Sequence, residues 1–139
     1  MQQLTTEIIV LCDYASISRE GKLSINGIFE ELRVLKFPVG LARAFFVATI
    51  SGTPNASYKL DLKIEPAKGF TGEQNTFNLE TPTGPNGRAN MVVELAGLGF
   101  KEEGDYNFIL SEGKKELGKV SLKVMDQNKY SISDIKLPN

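Results

Sequence analysis

Seventeen Asp and Glu, one cysteine and no histidine are the side chains with which this 139-residue chain would have to do chemistry. Without histidine it lacks the commonest general base, transition-metal ligand and triad member. Zinc would be left to a single thiol and carboxylates, a poor donor set. Calcium wants several oxygens, and Asp13, Asp61, Glu102, Glu103, Asp105 and Asp126 could offer them at strand ends. No D-x-D or EF-hand spacing gathers those residues, however. Paired-carboxylate hydrolysis needs two acids facing across a cleft. The adjacent pairs Glu30–Glu31 and Glu102–Glu103 would point apart on a strand. Cys12 follows the apolar residues Ile9–Leu11 and has no basic neighbour, which predicts a buried, unreactive thiol.

The remaining motifs read as structure. Gly69-Phe70-Thr71-Gly72 and Thr83–Gly87 lack the lysine and the strand-loop-helix setting of a phosphate loop, so they are expected to be turns. An oligonucleotide-binding face would interleave aromatic and basic residues, whereas Tyr106 and Phe108 are flanked by Asp105 and Asn107. Sixteen basic and seventeen acidic residues leave a formal charge of -1, without the basic surplus of a nucleic-acid-binding surface. Catalytic, cofactor-binding and metal-binding residues are therefore expected to be none, and the chain is expected not to be an enzyme.

The chain also bears on its setting. The first fifteen residues lack a basic n-region, and their apolar run is interrupted by Asp13, so no signal peptide is expected. No run reaches the ~18 apolar residues of a membrane helix. A cytoplasmic protein is the default, and Asn55-Ala56-Ser57 then reads as a loop rather than a glycosylation site. One domain over residues 1–139 suits the length, with 126–139 as a polar C-terminal tail.

The elements that must position these side chains are strands. Ile8–Tyr14 and Leu23–Phe29 are two apolar runs joined by the polar turn Ser16–Lys22, which predicts a long central hairpin. Leu23 and Ile25 share one face, which is expected to point into the core. The apolar positions change phase past Asn26-Gly27, which predicts a β-bulge there, with the strand continuing through Glu30–Phe37 to Pro38. Ala42–Ser51 is apolar on both faces. Ser57–Glu65 alternates cleanly: Tyr58, Leu60, Leu62 and Ile64 face inward, and Lys59, Asp61, Lys63 and Glu65 face outward. Gln74–Thr81, Arg88–Leu95 with an extension to Phe100, Asp105–Ser111 and Leu117–Val124 follow, the last with a bulge near Gly118. The fold class is all-β: a two-sheet antiparallel β-sandwich of about eight strands, with a closed or partly open barrel as the alternative.

Leu11-Cys12-Asp13-Tyr14-Ala15, then Gly21-Lys22-Leu23-Ser24-Ile25-Asn26-Gly27-Ile28-Phe29 and Phe37-Pro38, resemble the opening of a bacterial family known only as a domain of unknown function. Gly104-Asp105-Tyr106-Asn107-Phe108 and Leu117-Gly118 with Val120–Val124 are similar to its later pattern. The resemblance implies a small bacterial β-sandwich and carries no activity, cofactor or site with it.

Two functions remain open at this level. One is a non-catalytic binding or assembly module that uses loops or a sheet face, with Pro66–Asn75 and Thr81–Arg88 as the longest candidate loops. The other is a small-molecule-binding or enzymatic β-domain that uses carboxylates and Cys12 and needs a pocket near Asp13, Asp105 or Asp126. No nucleic-acid or membrane partner is expected, and a protein partner is left open. The second apolar face of Ala42–Ser51 needs a cover, either a second copy of the chain in a homodimer or the tail with Tyr130, Ile132 and Ile135.

Overall fold

The computed structural model describes residues 3–66 and 75–129. Nine strands follow one another: β1 (Thr5–Ile17), β2 (Leu23–Ile28), β3 (Glu31–Val34), β4 (Val39–Ser51), β5 (Ser57–Pro66), β6 (Asn75–Pro82), β7 (Arg88–Phe100), β8 (Gly104–Glu112) and β9 (Lys115–Asp126). They form a four-stranded sheet of order β2-β1-β4-β7 and a five-stranded sheet of order β3-β9-β8-β5-β6. The architecture is a β-sandwich with the character of a partly open barrel. The expected loop and tail regions at 67–74 and 130–139 lie outside the described residues.

The clean alternation of β5 does what it predicts. Tyr58, Leu60, Leu62 and Ile64 are all buried, and they pack with Phe108, Leu110, Leu122 and Val124 against Leu11, Phe46, Ala48, Ile50 and Met91 of the facing sheet. The sandwich closes where the β4–β5 and β6–β7 connections meet. There Thr83 Oγ1 donates to Thr53 O (2.5 Å) and accepts from Ala56 N (2.9 Å), and Thr53 N donates to the Tyr58 hydroxyl (2.9 Å).

The β1–β2 hairpin forms as expected, but its irregularity is not a bulge. Cys12 pairs with Ile28 and Ala15 with Ile25 in one unbroken register. Gly27 nevertheless has φ of 71°. The changed phase is shared by both strands: Cys12 and Ala15, three residues apart, belong to the same apolar cluster as Ile25. Asp13 turns with Gly27, and a Cβ on Gly27 would come within 2.9 Å of the Asp13 carboxyl carbon. Both strands flip together, so no residue is left over. The same device recurs where β4 meets β7. Gly97 has φ of 69°, the register stays constant past it, and Leu95 and Leu98 both remain in the core.

True bulges occur elsewhere. The expected one near Gly118 is present, since Leu110 pairs with Gly118 and Ser111 with Glu116, leaving Leu117 over. A second, not expected, leaves Glu7 over between Thr6 and Ile8.

The segment after β2 is also corrected. The chain does not continue as one strand; it crosses to the other sheet, where β3 pairs parallel with β9. Leu32 and Val34 therefore reach the core from the opposite side. Their apolar period is the same in either sheet, which is why the sequence alone cannot separate β3 from β2.

β4 is buried on both faces, as its composition requires: Ala44 through Ile50 are all buried. The strand lies between β1 and β7 rather than at an edge. Phe46, Ala48 and Ile50 enter the sandwich core, while Phe45 and Val47 pack with Cys12, Ala15, Val10, Leu23, Ile25 and Val92 in a second cluster on the outer face of the four-stranded sheet. Its neighbours in the same sheet thus cover much of the aromatic face. Ile25 belongs to this half-buried outer cluster and not to the sandwich core, a correction to the inward position that its alternation with Leu23 suggested.

Candidate functional site

Side chains alternate across β4 and β7, so the register that sends Phe46 and Val93 inward sends Arg43, Phe45, Val47, Thr49, Arg88, Asn90, Val92 and Glu94 to the outer face. Ile8, Val10 and Cys12 of β1 stand beside Thr49, Val47 and Phe45 on that face. The face is hollow. Leu23 and Ile25 of β2, Ile8 of β1, Thr49 of β4, and Arg88 and Asn90 of β7 line one groove of about 860 Å³, with Glu20, Gly21, Pro85 and Asn86 at its rim. One wall is thus apolar and belongs to the edge strand β2, and the other is polar and belongs to the edge strand β7.

The polar wall is internally satisfied. Thr49 Oγ1 donates to Asn90 Oδ1 at 2.8 Å, and the Arg88 guanidinium pairs with the Glu7 carboxylate that the β1 bulge turns out. Further along the face, the Arg43 guanidinium carbon lies 4.9 Å from the Phe45 ring centre and 5.7 Å from that of Tyr14, and Arg43 Nε meets Glu94 Oε1 at 2.7 Å. Tyr14 packs edge-on to Phe45 with 5.4 Å between centroids. The arginine covers aromatic surface without adding an unpaired charge.

The apolar side is open. Ile8 (37% exposed), Tyr14 (46%), Ile17 (46%) and Ile28 (59%) all lie on β1 and β2. Ile28 pairs with Cys12, and Ile17 with Leu23, which places them with the outer cluster. Single exposed apolar residues are ordinary on a surface, and of these four Ile8 lines the groove itself.

The carboxylates singled out in the sequence divide into three places. Asp13 lies over Gly27. Asp61 stands on β5 opposite Asn78 and Ser111. Glu102, Glu103 and Asp105 line a notch of about 280 Å³ with Pro66, Tyr106, Lys123 and Met125. Asp126 comes close to this group, because its N–H donates to Glu103 Oε2 at 3.1 Å. Asp126 Oδ1 in turn accepts from Asn128 N at 2.9 Å. Burial is the main cause that pushes the Tyr106 hydroxyl up, and that hydroxyl donates to Glu102 O at 2.6 Å. These bonds tie a turn together. Among the described residues no three Cys, Asp or Glu side chains stand close enough to hold a metal ion.

Cys12 is fully buried. Burial pushes its thiol up and the nearby Asp13 charge adds to this, while the S–H donates to Tyr14 O. A thiolate is disfavoured there, as expected of an unreactive cysteine. The outer groove itself was not foreseen. The signal for it was the apolar second face of β4, which requires a cover, together with Ile17 and Ile28 at the ends of the hairpin.

No helix among the described residues is long and apolar enough to cross a membrane. No curated protein matches the chain in sequence. Solved structures match its fold. A GH3 beta-glucosidase of Bifidobacterium adolescentis is similar over 88% of this chain and 17% of its own, with a TM-score of 0.54 and 9% identity. The alkylpurine DNA glycosylase AlkC of Pseudomonas fluorescens, bound to DNA containing an abasic site analog, matches 89% of this chain and 31% of its own, with a TM-score of 0.54 and 11% identity. A beta-glucosidase of Listeria innocua matches 90% and 16%, with a TM-score of 0.52 and 8% identity. This chain thus spans less than a third of each, and the likeness is one of fold alone. The pattern around Cys12, Gly27 and Tyr106 falls within residues 7–125, which match the model of DUF6941, and the chain belongs to this family of unknown function.

Proposed function

We propose that the protein is a non-catalytic binding module of a bacterial cell whose working surface is the hollow outer face of the four-stranded sheet. The observation that carries this reading is the apolar patch of Ile8, Leu23 and Ile25 in the groove, with Tyr14, Ile17 and Ile28 exposed on the same two strands. Covering such a patch removes apolar area from water, at roughly 25 cal/mol per Å². Thr49 and Asn90 bond each other and Arg88 pairs with Glu7, so these polar groups are engaged in holding the opposite wall together. A cytoplasmic setting belongs to the same reading and suits the free Cys12.

The test is site-specific photocrosslinking. A benzophenone side chain is placed at Ile17, at Ile28 or at Leu35, which is also exposed but lies just past β3 of the other sheet. Discrete adducts from positions 17 and 28, with none from 35, are the expected result. No adducts at 17 and 28, or an equal yield at 35, would overturn the reading.

A further inference from the structure

We infer that the groove receives an extended segment of another chain, which adds a strand along the β2 edge and carries apolar side chains at alternate positions. This deepens the reading above and rests on it. Three features of the face lead to it.

The first is the backbone of β2. This strand ends its sheet, so among the described residues one side of it meets no other strand. Ser18 N donates to Lys22 O and Phe29 N donates to Leu11 O. The alternation of an antiparallel ladder, broken once at Gly27, therefore directs the N–H and C=O groups of Leu23, Ile25 and Ile28 away from β1. The same three residues carry the apolar side chains of the edge. Bare polar backbone alternating with apolar side chains is what an added strand satisfies, and a compact small molecule does not.

The second feature is size. β2 has six residues. A strand of that length is about 20 Å long, enough to pair along its whole edge with an extended segment of similar length.

The third is polarity. Across the groove Asn90 is bonded to Thr49, and Arg88 to Glu7, while the acidic Glu20 sits at the rim. The apolar wall asks for apolar side chains on one face of the incoming segment, and the satisfied polar wall tolerates neutral or polar groups on the other. A second folded copy of this chain meets these demands less well. Its own β2 is already held to β1, so it would have to bring a whole hairpin to the edge rather than a single strand.

The β2 edge also lacks the usual protection. Between Leu23 and Ile28 it carries no lysine, proline or charged side chain.

The experiment uses the full chain and a display library of random twelve-residue peptides as the probe. Selected peptides are expected to show apolar residues at every second position. A synthetic peptide of the selected sequence should lose at least tenfold in affinity for the Ile28→Lys protein, and nothing for Leu35→Lys. Amide exchange on the complex should slow at Leu23, Ile25 and Ile28. Ile28 is 59% exposed, so the substitution leaves the core intact, and unchanged thermal melting verifies that the variant is folded. Failure to select any peptide, selection without alternation, or affinity indifferent to Ile28→Lys would each overturn the inference. So would light scattering that shows a dimer dissolved by Ile28→Lys, because the occupant would then be a second copy. Crosslinks at positions 17 and 28 would in every such case leave the binding reading standing.

Discussion

Leu62→Ala and Ile25→Ala remove side chains that look equivalent along the chain and are not equivalent in the fold. Leu62 is fully buried between the two sheets, among Leu60, Phe108, Leu110 and Leu122. Its truncation deletes three carbons, about 2.4 kcal/mol of transfer free energy at ~0.8 kcal/mol per methylene. The surrounding strands are held in register by β6 on one side and β8 on the other, so the space cannot collapse. A cavity cost then adds to the transfer cost, and the total should lie at roughly 3–4 kcal/mol. Ile25 loses the same three carbons from a half-buried site that opens on the groove. Water fills the space it leaves, no cavity forms, and the cost should be about 1 kcal/mol. Urea unfolding of both variants measures the difference as a shift in midpoint at constant slope. Equal costs, or Leu62→Ala below about 1 kcal/mol, would refute the division of the apolar residues into a sealed core and an open outer cluster.

Other substitutions test the joints of the fold. Thr83→Val strips the hydroxyl that bridges Thr53 O and Ala56 N, and should cost about 1–3 kcal/mol in the same assay, whereas Thr83→Ser should restore most of it. Gly27→Ala should be markedly more destabilising than Gly21→Ala. Both residues have positive φ, but only at Gly27 does a Cβ strike the Asp13 side chain, while nothing lies within 4 Å of one at Gly21. Cys12 should react with a disulfide reagent only as fast as the protein unfolds, and rapid labelling of the native state would contradict its burial. Its raised thiol also sets a pH dependence. Above the ordinary value of 9.0 the unfolded chain loses the Cys12 proton and the folded chain keeps it. Stability should therefore fall as pH rises through and beyond 9, and the decline should be shallower in Cys12→Ala, as melting at several alkaline pH values would show.

What the sequence by itself determined was the set of strands and most of their faces. Tyr58, Leu60, Leu62 and Ile64 alternate with charged residues, and a period of two admits only one buried face. The two apolar faces of β4 likewise required cover on both sides, and the protein supplies it. Three things were decided only in three dimensions. At Gly27 a local pattern signals a change of phase, but whether it makes a bulge depends on the partner strand, and Asp13 flips with it. Between β2 and β3 the apolar period is unchanged, so the crossing to the other sheet and the parallel pairing with β9 leave no local trace. The groove is the clearest case. Leu23 and Arg88 are distant in the chain and belong to strands at opposite edges of one sheet. They line one hollow because the sheet curves, and curvature is a property of the whole ladder that no single strand's sequence encodes.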